Sequence, residues 1–179
     1  GVKGMNLTKG DSVVSMTVLN HVEVTTDIRS EYLQAVSASR RLNNSDSKNY
    51  ENYDRDKELS KLLESNDFIN LKKKEQFILS VTENGYGKRT SAFEYRLTNR
   101  GGSGIINIIT SERNGPVVGS FSVENKDQIM LVTDRGKLIR SPILDVRIAG
   151  RNTQGVTLFN TSDDEKVVSV ARLADNVDE

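Results

Sequence analysis

The chain has 179 residues, 28% charged and 35% hydrophobic, and its 25 Lys plus Arg balance 25 Asp plus Glu. This composition is that of a soluble globular protein of one or two domains, and zero net charge gives no bulk signature of a nucleic acid or an anionic membrane. With no Cys and one His, His21, disulfides, thiolate nucleophiles and zinc sites built from several His or Cys are excluded.

From the N-terminus, Gly4-Met5 and Val13-Val14-Ser15 read as the opening of a strand-rich unit taken up again later. The stretch from about His21 to Glu75 has another composition and reads as an insertion. Ser30 is an N-cap candidate for a helix continuing to Leu42, and Arg55 to Ser65 carry Leu59, Leu62 and Leu63 on one stripe, which predicts a second helix. Between them Asn43 to Asn49 are polar enough for loop or disorder. The insertion holds 10 basic and 11 acidic residues and so adds nothing to a basic surface.

Beyond it, Phe77 to Val81 and Tyr86 to Thr90 flank Asn84-Gly85, the strongest two-residue hairpin signal. Apolar stretches at 105–109, 117–123, 128–133 and 137–141 are each of strand length. They are separated by Asn114-Gly115, Asn125-Lys126 and Arg135-Gly136 at turn positions, which predicts four short antiparallel strands per unit. Val167 to Ala171 follows as a further strand, and residues 174–179 begin an acidic tail with Asp175, Asp178 and Glu179.

These elements repeat. Residues 78–105 match 129–156 at a constant offset of 51 without a gap, with eight identities: Ile78/Ile129, Val81/Val132, Thr82/Thr133, Gly85/Gly136, Arg89/Arg140, Arg96/Arg147, Arg100/Arg151 and Gly104/Gly155. A repeat kept only for its fold should match at glycines and core positions, so matching arginines point to a charge each unit presents outward. Gly4-Met5 and Val13-Val14-Ser15 supply a third copy, interrupted by the insertion. A four-stranded unit with a period near 50 is propeller-like, because one small sheet cannot bury both faces unless neighbours stack on it. Half-units at both ends imply that strands come from outside this chain or that the chain is part of a longer domain.

Catalytic constellations fail on inspection. Gly87-Lys88-Arg89-Thr90 lacks the Gly at 82 and the Ser or Thr directly after Lys that a phosphate loop requires. Gly101-Gly102-Ser103-Gly104 precedes a strand rather than opening a helix, so these glycines are read as turning the chain between blades. Asp163-Asp164-Glu165 is read as a solvated loop rather than metal ligands, and His21 as an ordinary surface or packing residue. The longest apolar runs, such as Ile129 to Val132, fall well short of the roughly 18 residues of a spanning helix, and Gly1-Val2-Lys3-Gly4 is no signal peptide. A cytoplasmic protein with no catalytic residue, metal or cofactor in this chain is expected.

The basic residues carry more. Windows 82–105 and 133–156 hold Lys88, Arg89, Arg96, Arg100, Arg135, Lys137, Arg140, Arg147 and Arg151 against Glu83, Glu94, Asp134 and Asp145, a local excess of five. Guanidinium groups at a fixed position in each unit would form a track for regularly spaced phosphates; the alternative is a solvated face balanced by its acids.

Thr82 to Thr90 (TENGYGKRT), Arg100 to Gly104 (RGGSG), Ile129 to Arg140 (IMLVTDRGKLIR), Gly150 to Gly155 (GRNTQG) and Val167 to Ala171 resemble the C-terminal domain of DNA gyrase A subunits over about residues 1–21 and 75–173. The resemblance implies a six-bladed β-pinwheel, a propeller relative that wraps duplex DNA around its positively charged edge. It also implies a part in ATP-dependent negative supercoiling, with the gyrase B subunit plus the remainder of the A subunit as partners. It implies that this chain carries roughly the last half of the blades. The family's box Gln-Arg-Arg-Gly-Gly-Lys-Gly does not occur; Arg100 to Gly104 resembles a degenerate copy.

The expectation is therefore an all-β, propeller-like array of four-stranded blades with a largely helical insertion: blades at 1–21 plus 75–100, at 101–151 and in part at 152–173, with the insertion at 22–74. Lys88, Arg89, Arg96, Arg100, Lys137, Arg140, Arg147 and Arg151 are the expected DNA contacts, repeat partners serving as equivalents. The alternatives are the matching domain of topoisomerase IV and a propeller used as a protein-docking scaffold.

Overall fold

A computed structural model describes residues 1–44 and 51–174, which form two compact units, Gly1–Leu19 with Gln76–Glu179 and Asn20–Glu75. The smaller unit is helical: α1 (Thr26–Asn44), α2 (Tyr53–Lys61) and α3 (Asn66–Lys74). Tyr32, Ala35 and Ala38 recur at helical spacing and are fully buried, and Phe68 and Leu71 of α3 are buried too. Tyr32 meets Phe68 edge-on at 5.5 Å and donates a 2.8 Å hydrogen bond to Glu75 Oε2. Helix α3 went unread in the sequence because it has only three apolar residues. Its signals are polar: Ser65 caps it by accepting from the Phe68 amide, Asp67 lies in its first turn, and Lys72, Lys73 and Lys74 complete its last. Helix α1 extends over Asn43 and Asn44, where a loop was expected, and the rest of that polar stretch lies outside the described residues.

The larger unit holds two antiparallel sheets, and its described residues contain no α-helix. Strands β1 (Phe77–Thr82) and β2 (Tyr86–Ser91) form a hairpin, as do β4 (Gln128–Thr133) and β5 (Leu138–Pro142). Their registers are those the 51-residue offset requires: Phe77 opposes Ser91 and Gln128 opposes Pro142. Each hairpin takes its third strand from the following repeat. Strand β3 (Val117–Val123) pairs with β1 and β7 (Val167–Leu173) pairs with β4. Both pairings slip at one place in the repeat, between Val81 and Thr82 and between Val132 and Thr133. The short β6 (Val156–Thr157) joins β2, giving sheet orders β3-β1-β2-β6 and β5-β4-β7.

Residues 105–109, expected as a strand, are not one. Their polar groups are taken by side chains and turns: Asn107 Nδ2 donates to Ser80 Oγ at 2.7 Å, Arg151 Nη1 donates to Ile106 O at 2.7 Å, and Ile109 N donates to Thr153 O at 3.0 Å. Val13 to Ser15 also form no strand. Ser15 and Thr17 accept from the Ser120 and Ser122 amides at 3.1 and 3.0 Å, so side chains stand where ladder bonds would. The core joins both sheets through Leu79, Val81, Val123, Ile129, Leu131, Ile143, Val146 and Val167, each side chain contributing about 1.5–3 kcal/mol on burial.

Candidate nucleic-acid interface

Strand β2 is covered on both sides, since residues 143–155 of the next repeat fold over it. Arg89 N donates to Arg147 O, Ala149 N donates to Arg89 O and Thr90 Oγ1 donates to Ala149 O, each at 2.9 Å. Lys88 and Arg89 are consequently inside. The Lys88 ammonium lies 2.6 Å from Gly150 O, 2.7 Å from Arg151 O, and 3.2 and 3.3 Å from Thr153 Oγ1 and O. Burial pulls it down to about 8, with Glu94 opposing that fall and Arg151 adding to it. Arg89 is 5% exposed. It donates from Nε to Val146 O at 2.8 Å, from Nη1 to Asn125 Oδ1 at 2.9 Å and from Nη2 to Leu144 O at 3.4 Å, over the Phe77 ring.

Lys88 and Arg89 are thus withdrawn from the expected phosphate track, because their donors are spent on the next repeat's carbonyls. The sequence held one signal of this for Lys88, whose repeat partner Ile139 is apolar. Nor is every arginine pair equivalent. Arg140, the partner of buried Arg89, is exposed and among the described residues donates only to Gln128 Oε1, at 2.5 Å.

Arg96, Arg100 and Arg147 are exposed, and their side chains make no hydrogen bond or ion pair among the described residues. Arg151 is half-buried: its amide donates to Glu94 Oε2 at 2.9 Å and its guanidinium lies 5.9 Å from the Tyr95 ring. Lys137 is half-exposed and pairs with Glu165 Oε2 at 2.6 Å. Glu165 is buried, contrary to the solvated reading of Asp163 to Glu165. Lys137 and the Thr133 hydroxyl, 2.7 Å from Oε1, pull its carboxyl down to about 2.

Arg113 and Lys166 fall outside the repeated windows and were not foreseen. Arg113 lies 5.0 Å from the Tyr86 ring centroid, with Nε 3.3 Å from the Tyr86 hydroxyl, which it holds below the usual phenol range. Lys166 donates to Asn84 Oδ1. Both line a polar cavity of about 320 Å³ with Thr157, Asp163 and Asp164, where the two acids oppose anion binding.

The turns that carry Arg100 and Arg151 recur. Residues 4–6 bind the turn at 100–104, with Asn6 N donating to Gly102 O and Gly101 N to Gly4 O, each at 2.9 Å. One repeat later, Gly155 closes the turn at 150–155 against β2. Its φ is +80°, and a Cβ there would stand 2.6 Å from Gly87 O, so only glycine fits. The described residues hold no group of three or more His, Cys, Asp or Glu able to bind a metal, and no helix long and apolar enough to cross a membrane.

Residues 1–20, 76–124 and 127–174 match the family described as DNA gyrase C-terminal domain, beta-propeller. The A subunit of DNA gyrase from Rickettsia bellii is 46% identical over 179 residues, all of this chain and 19% of that protein. That of Escherichia coli is 51% identical over 102 residues, 57% of this chain and 12% of that protein. This chain thus spans about a fifth or less of these relatives, and the R. bellii match runs through the insertion. The solved DNA gyrase A C-terminal domain superposes with a TM-score of 0.53 at 29% identity, over 57% of this chain and 35% of that one. The C-terminal domain of DNA topoisomerase IV, at 20% identity and a TM-score of 0.51 over 55% of this chain and 31% of that one, shares the fold. With its strand-exchanged hairpins and repeated basic turns, the chain belongs to the DNA gyrase C-terminal domain family of β-propellers.

Proposed function

We propose that this chain binds duplex DNA through backbone phosphates, without base readout, as part of the wrapping domain of a cytoplasmic gyrase A subunit. The gyrase B subunit, with the remainder of the A subunit, completes the machine that supercoils DNA with ATP, and this portion contributes no catalytic residue and takes no cofactor. The supporting observation is that Arg96 and Arg147, partners across the repeat, and Arg100 stand exposed with no intramolecular acceptor among the described residues. An arginine left unpaired on a repeated turn is available to a phosphate, which it can grip with two parallel donors. The α-helices lie in the insertion, so the sheets present no helix to a major groove, which favours backbone over base contacts.

The test is fluorescence anisotropy with mixed-sequence duplexes over a range of salt. Log affinity should fall with log salt at about −0.9 per phosphate contact and vary little among sequences. Salt-independent binding, or tight binding to one sequence only, overturns the reading and favours a protein-docking scaffold.

A further inference from the structure

The ammonium of Lys88 is buried among carbonyls that belong to one turn of the following repeat, and this sets the direction of three of the amides in that turn. A trans peptide carries its C=O and N–H on opposite sides, and the described residues contain no cis bond. Gly150 O, Arg151 O and Thr153 O all face Lys88. The N–H groups of Arg151, Asn152 and Gln154, the other halves of those peptides, therefore face away from it. Arg151 N is taken by Glu94 Oε2. The amides of Asn152, Thr153 and Gln154 meet no acceptor among the described residues. Asn152 and Thr153 are exposed, and exposed Arg147 and half-buried Arg151 belong to the same segment. Outward amides without an acceptor, on a segment that also carries an exposed arginine, are donors suited to an oxyanion.

We propose that the turn at 150–154 is a phosphate cradle for the DNA backbone and that Lys88 is its positioning residue, an inner cation that turns the carbonyls inward so that the amides of Asn152 and Gln154 face out on the segment that carries exposed Arg147. The proposal rests on the reading of the chain as a DNA-binding module and says which backbone groups meet the phosphate. Lys88 touches no DNA itself. The charged groups that bear on it are Glu94 and Arg151, and its lowered affinity for a proton makes the clamp weaken from about pH 8 upward, a range in which arginines stay charged.

The experiment uses the full chain with a mixed-sequence duplex of about 40 base pairs, followed by amide NMR and anisotropy. Wild type should show Asn152 and Gln154 amide resonances shifting as duplex is added. Lys88→Met, measured below its melting temperature, should lose protection of those amides and bind about two- to tenfold more weakly, the worth of about one net hydrogen bond. Wild-type affinity should decline above pH 8 while that of Lys88→Met stays level. If wild type binds in a salt-dependent way while the 152–154 amides stay unshifted, the cradle is overturned and the DNA-binding reading stands. If wild type fails to bind at low salt, both fall. Because the wild-type arm needs no variant, a Lys88→Met chain that does not fold leaves the proposal testable.

Discussion

Arg89 and Arg140 occupy the same position of successive repeats, 51 residues apart, yet one is 5% exposed with three donors on Val146, Asn125 and Leu144 while the other is exposed with one contact, to Gln128. Identity across a repeat therefore does not mean one role. Arg89→Ala should destabilise the sheet unit by roughly 2–4 kcal/mol, since it leaves the buried Val146 carbonyl unpaired and empties the space of a 5% exposed side chain. Arg140→Ala should stay within about 0.5 kcal/mol. Urea unfolding with unchanged m-values checks this, and similar losses from both variants would show that the buried network contributes little.

The Lys137–Glu165 pair gives a pH dependence of known sign. Glu165 sits at about 2 in the folded chain, below its ordinary carboxylate value, so the folded state holds fewer protons than the unfolded one between those two values. Stability from this group is present above about pH 4.5 and is lost as pH falls toward 2. Thermal melts of wild type should drop across that window more than those of Glu165→Gln. Parallel profiles would mean that the pair does not set the acid limb.

Much of the fold was legible because hairpin chemistry is local. Asn84-Gly85 marked the β1–β2 turn, and Gly85 does take φ +75°. The 51-residue offset related the two hairpins, but the first loop holds three residues, Glu83 to Gly85, with Val81 opposite Gly87, where a two-residue turn was expected. The exchange of β3 and β7 between repeats could not be read, because pairing partners there depend on which sheet edge is open. The same gap explains the site. Arg96, Arg100 and Arg147, expected as contacts from their charge, are exposed, whereas the burial of Lys88 and Arg89 was not expected, because a cation among carbonyls has the same sequence as one in water. Arg113 carries no repeat partner, so nothing in the periodicity singled it out.

Exposed arginines without intramolecular partners should behave alike in binding and leave the fold untouched. Arg96→Ala and Arg147→Ala should each weaken duplex binding uniformly across sequences and reduce the magnitude of the salt slope by about one. Melting temperatures should not move, because both side chains are exposed and neither makes a hydrogen bond or ion pair among the described residues. A change in sequence preference would indicate base contact in place of phosphate contact.

The helical unit can be tested apart from the sheets through Arg41 and Asp56. Asp56 is 1% exposed and accepts from Arg41 Nε and Nη2, both at 2.6 Å, a bidentate pair that ties α1 to α2. Arg41 is 54% exposed, so its charge can rehydrate once the partner is gone, and the cost is that of the lost charge-assisted bonds, roughly 1–3 kcal/mol. A unit spanning Asn20–Glu75 has little core to spare, since small domains bury a smaller share of their surface. Asp56→Ala should therefore lower the far-ultraviolet helical signal and abolish amide protection in α1 and α2. Protection in β1, β2 and β4 should persist, and DNA affinity should stay within about twofold, as expected of independent sites. Collapse of the sheet protection in this variant would show that the two units fold as one.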